Sequence, residues 1–436
     1  MSNTEQATIN ETGIVLNPLF YVCVLSKYNL PQLEAILTRR PSHVLFVVSD
    51  FKPARDGAEN LSKLLEEELP GIRIHRPESQ DKTALSGDDL INCQQWVAQT
   101  LVPYLTQHKD GYPCWLNLTG GTKAITLALS LGYPWDQLDY KPISQSSLFG
   151  FHFQTGNSFS EHFSNVDIKP LVSVTPQHVA RTYNRKIKQN IPNPLRQKKD
   201  SVLLAEEIFA ALDKKNPALM QIFNGLSRIW SHQRDNKQWK KEQLTLPLNE
   251  FLQSTPDEHC HDLRIWLKRL QQLDPSCFNL KDNTLTFPGN KPGNNKACRN
   301  FRDWLSGDWL EQLTGYWLTS ATANNAIPES AIAYGIKAGD IEKPDELREA
   351  DLLIHHKGRT HIIEVKADIP PGSSSKDATQ QLNSLHAFGQ ANRLLMVGPE
   401  FRHRLSQNND WLNFRDRCAD NNIRVCSSRN DLLKAL

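Results

Sequence analysis

The sequence predicts an α/β protein whose 436 residues fall into a first sheet domain, a helical middle module and a second sheet domain. Three observations carry this. Apolar strand runs alternate with helical stretches from Phe20 to Phe153, the rhythm of a doubly wound parallel sheet. From about 167 to 200 the rhythm breaks into prolines and basic residues. A second alternation then surrounds Ile362-Ile363-Glu364-Val365-Lys366, an apolar strand that carries two opposite charges.

Composition narrows the classes. Lys plus Arg is 50 and Asp plus Glu is 48, so no global basic field marks a nucleic-acid binder, and any such contact is local. Eight cysteines without a CxxC pair exclude a zinc ribbon and fit reduced thiols in a cytoplasmic protein. Residues Met1 to Thr12 are polar and lack the basic start and apolar run of a signal peptide. No apolar run approaches about 18 residues, so no membrane contact is expected.

In the first domain, taken as residues 1–165, Phe20 to Leu25 reads as a buried strand ending at Ser26. Pro31 suits a first helical turn, followed by Leu33, Ile36 and Leu37 at helical spacing. His43 to Val48 is the next strand, and Gly57 to Leu69 a helix with the stripe Leu61, Leu64, Leu65 and Leu69. Ile72 to Ile74 is a short strand, Leu90 to Gln107 a helix, and Cys114 to Leu118 a strand leading into a helix from Ala124 to Leu131. Gln137 to Lys141 and Ser147 to Phe153 complete the sheet.

Ligands of such sheets sit at the carboxyl ends of the strands. There Thr119-Gly120-Gly121-Thr122-Lys123 joins strand to helix: the glycines admit a phosphate close to backbone amides, and the helix N-terminus and Lys123 add positive charge. Ser26, Lys27, Tyr28 and Asn29 end the first strand and offer further donors. The plainer alternative is a tight turn at Gly120-Gly121 with Thr119 capping the helix. Neither a Walker A loop nor GxGxxG is present, so a nucleoside triphosphate or NAD is not indicated. Strand, Asn117-Leu118-Thr119-Gly120-Gly121-Thr122-Lys123 and helix together resemble the signature of the CRISPR-associated Rossmann-fold (CARF) sensor domain over about residues 17–155. That resemblance implies a homodimer binding one cyclic oligoadenylate, usually cyclic tetra-adenylate, across its two-fold axis. It implies that Gly120, Gly121, Thr122 and Lys123, with Thr119, Ser26 and Asn29, hold the ligand.

Residues 166–200 read as a linker with a short helix near 176–188, its basic residues solvated or following a nucleic-acid backbone. Residues 201–296 read as a mostly helical module, with a helix at Val202 to Leu212 and a helical core drawn from Phe251, Leu263, Trp266, Leu267 and Leu270. Alternation over Phe278 to Phe287 predicts a hairpin. Helices followed by a hairpin are compatible with a winged-helix-like module, favoured here as packing between the outer domains.

The last domain, 297–436, opens with a helix from Asn300 to Leu318 whose broad apolar face includes Trp304, Trp309, Leu313 and Trp317, with Glu311 beside it. Asp351-Leu352-Leu353-Ile354 and Ile362 to Lys366 read as strands joined by the turn His355 to Arg359. Glu364 and Lys366 leave one face, and a hairpin brings Asp351 alongside. Such charges on a core strand call for compensation, which a hard divalent cation, magnesium or manganese, supplies; its bound water is then a nucleophile towards a phosphodiester. A solvated surface hairpin is the bland alternative. The site resembles the PD-(D/E)xK nuclease superfamily, with Asp351, Glu364 and Lys366 in the motif positions and Ala350 where the motif has proline. In that resemblance Asp351 and Glu364 hold the metal, Glu311 points towards it, and Lys366 stabilises the attacking hydroxide. Beyond it, Pro370 to Ser375 reads as a loop near the substrate path, Ala378 to Phe388 as a helix, and Lys376 and Gln381 as phosphate contacts. Arg393 to Val397 and Ile423 to Val425 are further strands. No HExxH or GxSxG motif supports a zinc centre or a serine hydrolase.

The whole chain resembles the CARF-linked ancillary nucleases of type III CRISPR systems, of the homodimeric single-sensor type. That implies cleavage of DNA, RNA or both once cyclic tetra-adenylate repositions the nuclease domains. Two other readings stand beside it: a ligand-responsive DNA-binding regulator with a degenerate nuclease site, and a sensor that degrades its own cyclic oligoadenylate.

Overall fold

The computed structural model describes residues 8–9, 14–77, 85–142, 145–151, 166–183, 185–189, 198–225, 244–248, 259–276, 278–287, 300–321, 326–340, 348–368, 391–406 and 410–436. The first sheet is built from β1 (Thr8–Ile9), β2 (Val15–Val24), β3 (Pro41–Val47), β4 (Arg73–His75), β5 (Cys114–Asn117), β6 (Gln137–Tyr140), β7 (Ser147–Phe151) and β8 (Val166–Pro170). Its order is β4-β3-β2-β5-β6-β7-β8, with β1 paired to β2. The pairs from β4 through β6 are parallel, and β7 and β8 add an antiparallel edge.

Period two explains why β2 is apolar throughout: each face is covered. Tyr21 and Cys23 pack with Leu33 and Ile36 of α1 (Leu30–Arg39) and Leu61 and Leu65 of α2 (Lys52–Glu68). Phe20, Val22 and Val24 pack on the other side with α3 (Leu90–Trp96), α4 (Val102–His108) and α5 (Lys123–Gly132). Between α3 and α4 the helix widens at Val97–Leu101, where Pro103 has no N–H to continue the regular ladder. Strand order reverses at β2, so the loops after β2 and β5 open side by side at the carboxyl edge.

On β3 and β4, His43 Nδ1 lies 2.9 Å from His75 Nε2, and His75 Nδ1 lies 3.0 Å from the Tyr104 hydroxyl. Burial, then the neighbouring His43, His108 and Arg73, push the His75 imidazole down to about 4. A histidine depressed on folding contributes stability that is present above about 6.5 and lost as pH falls through its folded value. Thermal unfolding between pH 7 and 4 is therefore expected to show acid destabilisation that His75→Gln flattens; an unchanged pH profile in the variant would contradict this.

The stretch expected to be a linker is structured. Helix α6 (Pro176–Thr182) is capped by Thr175 and buries Val179 in the first core and Ala180 in the core of the last domain. His178 and Arg181 pair with Glu68 and Glu67 of α2. β9 (Arg185–Gln189) then joins the edge of the second large sheet, antiparallel to β13 (Ile332–Asp340). The short helix expected near 176–188 is thus present as α6, but it ends at Thr182, and Arg185–Gln189 is a strand where the helix and linker were expected to continue.

In the middle, α7 (Lys199–Asp213) and α8 (Cys260–Leu273) accompany β10 (Leu244–Pro247), β11 (Asn279–Lys281) and β12 (Thr284–Phe287), with the expected hairpin turning at Asp282 and Asn283, both at positive φ. Leu204, Ile208, Leu263, Leu267 and Phe278 share one core with Trp304, Trp309, Leu313 and Ile363. The module is thus fused to the last domain by apolar packing.

That domain carries α9 (Trp309–Thr319) and a mixed sheet of order β17-β16-β15-β14-β13-β9. Its strands are β13 (Ile332–Asp340), β14 (Arg348–His356), β15 (Arg359–Lys366), β16 (Asn392–Val397) and β17 (Ile423–Cys426). The expected single helix from Asn300 is interrupted by a wider turn at Trp304–Asp308. Among the described residues no helix is long and apolar enough to cross a membrane. Phe251, the loop Pro370 to Ser375, Lys376, Gln381 and the helix expected over Ala378 to Phe388 lie outside the described residues.

Candidate functional site

At the carboxyl edge of the first sheet, the loop after β5 is a backbone surface. Gly120 and Gly121 have φ of 95° and 72°, where a Cβ is strained, and both are exposed together with Lys123. A Cβ on Gly121 would lie 2.5 Å from Val24 Cγ1, and one on Gly120 would collide with the Gln32 amide. Thr122, not Thr119, caps α5: its Oγ1 accepts from the Ile125 N–H at 3.3 Å and donates to the Gly87 carbonyl. Thr119 is buried, its hydroxyl accepting the Lys141 N–H at 2.8 Å and its carbonyl accepting Gln32 Nε2 at 2.6 Å. Gly121→Ala is expected to cost about 1–2 kcal/mol, read from chemical denaturation of the full chain; a neutral change would mean the loop relaxes freely.

The loop after β2 is tied off by Asn29. This buried amide accepts the Ser26 N–H at 2.8 Å and donates to the Ser26 carbonyl at 2.9 Å, so it shapes the loop with both ends engaged. Ser26 Oγ donates to the Tyr28 carbonyl at 2.9 Å. Helix α2 comes so near that a Cβ on Gly57 would sit 2.7 Å from the Ser26 carbonyl oxygen. Gln32, not singled out from the sequence, also donates to the Val24 carbonyl at 3.1 Å and so joins the two loops. A glutamine on the inward face of an apolar helix was the available signal.

The second site is the β14–β15 hairpin. Leu352 pairs with Ile363, which sets Asp351 beside Glu364 at the end of the ladder. Asp351 Oδ2 accepts the Val365 N–H at 2.6 Å. Glu364 has 0% of its side chain exposed and Lys366 29%, and Lys366 Nζ donates to Glu364 Oε1 at 2.6 Å. Burial alone would lower the Lys366 ammonium. Glu364, then Asp351 and Glu311, outweigh it and raise the group above its ordinary value. The fold thus brings Asp351, Glu364, Lys366 and Glu311 into one electrostatic cluster, with Glu311 delivered by α9.

Among the described residues no group of three or more His, Cys, Asp or Glu side chains is placed to hold a metal ion. The donor set is nevertheless of the right chemistry: carboxylate oxygens suit magnesium, which keeps several waters and needs only one or two protein carboxylates. Asp351 and Glu364 fit such a cation, with Lys366 as the internal counter-charge in its place.

No protein-family model and no curated protein matches the chain. Solved structures do. Protein VC1899 from Vibrio cholerae superposes with a TM-score of 0.67 at 16% identity, over 96% of each chain. Can2 from Sulfobacillus thermosulfidooxidans, solved in complex with cyclic tetra-adenylate, superposes at 0.61 and 14% identity, over 95% of this chain and 97% of that one. A looser likeness, at 0.47 and 14% identity over 87% of this chain and 45% of the other, is to a type III CRISPR defence DNA nuclease activated by cyclic oligoadenylate. The first two likenesses show that the chain shares their fold along nearly its whole length.

Proposed function

We propose that this chain is a metal-dependent nuclease of type III CRISPR defence, switched on by cyclic tetra-adenylate at its N-terminal sheet and cleaving phosphodiesters of DNA, RNA or both at its C-terminal hairpin. The observation that carries the reading is the fully buried Glu364 clamped to Lys366, with Asp351 and Glu311 acting on the same ammonium. A core strand tolerates such a group of charges only when they compensate one another, and a hydrolytic centre gives that cost a purpose.

Support for the ligand comes from the shape of the loop edge and from Can2, a protein of this fold holding cyclic tetra-adenylate. Gly120 and Gly121 leave backbone amides open to a phosphate, Lys123 adds charge, and Asn29 and Gln32 hold the loops in place. A second copy of the chain fits α3 and α5, which pack together and expose Leu90, Ile91, Leu127 and Leu131 beside this loop.

At the hairpin, Asp351 and Glu364 would hold a magnesium or manganese ion, which supplies an activated water and Lewis acidity. Lys366, kept cationic by its carboxylate neighbours, stabilises negative charge developing on the phosphate. Asp351, pinned by the Val365 N–H, keeps a fixed direction. The test is cleavage of plasmid, single-stranded DNA and RNA with and without magnesium and cyclic tetra-adenylate. Product appearing only when both are present supports the proposal. Ligand binding without cleavage of any substrate would overturn the nuclease half in favour of a regulator.

A further inference from the structure

Between the two sites lies a buried ionic contact that neither needs for its own chemistry. Glu34 projects from α1, the helix that follows the Ser26–Asn29 loop. Its Oε2 lies 3.1 Å from Lys141 Nζ and its Oε1 2.9 Å from His355 Nε2. The three side chains are only 2–3% exposed. Lys141 Nζ also donates to the Gly358 carbonyl at 3.2 Å, and His355 Nδ1 lies 3.0 Å from Thr360 Oγ1. His355 and Thr360 pair at the turn end of the β14–β15 hairpin and Gly358 lies in the turn itself, while the other end carries Asp351, Glu364 and Lys366.

The sensor end is equally direct. The Lys141 N–H donates to Thr119 Oγ1, and Thr119 is the residue before Gly120. The Thr119 carbonyl receives Gln32, two residues before Glu34 on the same helix. The turn has little freedom to ignore its neighbour. Gly358 has φ of 69°, and a Cβ there would meet the Gln145 carbonyl oxygen at 2.9 Å and Lys141 Nζ at 3.1 Å. A second contact runs in parallel: Tyr28 of the first loop packs on Tyr183, ring centroids 4.8 Å apart, at the end of α6 and just before edge strand β9.

We infer that the Glu34–Lys141–His355 contact is the coupling element through which the loop at Thr119-Gly120-Gly121 sets the position of the catalytic hairpin, with Glu34 and Lys141 acting as positioning residues. The inference rests on the proposed function for what the two ends do. The physical argument is that buried charges are held to close, aligned partners or pay heavily for separation. A shift of Thr119 moves the Lys141 backbone, and its ammonium, seated on Glu34 and the Gly358 carbonyl, carries the shift to the turn. Such a contact changes in discrete steps and not gradually, as a switch requires.

The experiment is hydrogen–deuterium exchange of the full chain, read at the amides of 355–366. The pair Glu34→Gln with Lys141→Met removes both charges together, so neither is left orphaned in the interior. Thr119→Val removes the acceptor at the sensor end. Without any ligand, Thr119→Val is expected to speed exchange at 355–366 about threefold in the native background and to have no further effect on the paired variant, the non-additivity of coupled sites. Cyclic tetra-adenylate is expected to change the same amides about tenfold in the native chain and not in the paired variant, with its affinity for both within about threefold. Unchanged hairpin exchange in Thr119→Val, or a ligand response surviving intact in the paired variant, would overturn the inference. Failure of the native chain to bind the ligand or to cleave would instead count against the proposed function, while the ligand-free comparison still decides the coupling.

Discussion

Replacing Glu364 with Gln is expected to lower metal-dependent cleavage by on the order of 10³-fold, with cyclic tetra-adenylate affinity unchanged. The carboxylate has two tasks that an amide cannot share. It supplies an anionic oxygen of the kind magnesium requires, and it is the leading positive influence on the Lys366 ammonium, against the burial that works the other way. The pair itself persists under ordinary conditions. Because the folded value of Lys366 is raised, the stability gained from the pair is fully present below about 10.5 and is lost only as pH rises through the folded value. Loss of activity near neutral pH in Glu364→Gln would therefore report on the missing oxygen and charge and not on a titrating lysine. Circular dichroism establishes that the variant is folded, and single-turnover cleavage measures the effect. Cleavage within tenfold of the native chain would remove Glu364 from the catalytic set.

The second large effect is on stability and lies away from both sites. Asp139→Ala is expected to destabilise the first domain by about 3–5 kcal/mol, because it strips a buried guanidinium of the carboxylate that engages two of its nitrogens and leaves it only Asp167 at the third. Arg39 binds Asp139 through Nε and Nη2, both at 2.8 Å, and reaches Asp167 through Nη1 at 2.8 Å. Tyr21 donates to Asp139 at 2.8 Å and Gln137 at 2.7 Å, so the carboxylate is the hub of β2, α1 and β6. The Arg39 guanidinium also lies over the Trp115 ring, 4.9 Å from its centroid. Urea unfolding followed by the fluorescence of this domain's tryptophans measures the loss. A midpoint indistinguishable from the native one would mean that water enters and rescues Arg39.

Much of this was legible in the chain. Alternating apolar runs marked the strands from β2 to β6 because a parallel sheet covered on both faces leaves no polar face to disguise them. The charges of Glu364 and Lys366 were conspicuous because Ile362, Ile363 and Val365 surround them, and an apolar strand seldom carries charge idly. The stretch from 166 to 200 shows the converse. Its short helix, α6, was legible, but the contacts that anchor it to Glu67 and Glu68 were not, and β9 is too short for periodicity to register and is fixed by pairing with the distant β13.

What the sequence by itself determined is the kind of chemistry available: two loops of small and polar residues at strand ends, and an acidic and basic pair on a core strand. Residue type and local spacing suffice for that, since both are properties of a few neighbouring positions. Only the tertiary structure decided the partners. Glu34, Lys141 and His355 each look like an ordinary surface polar group in their own segments, as do Arg39 and Asp139, and each is buried. A charge is stable in the interior only through groups that the fold brings from distant parts of the chain. Those pairings, and with them the connection between the two sites, exist in no local window of the sequence.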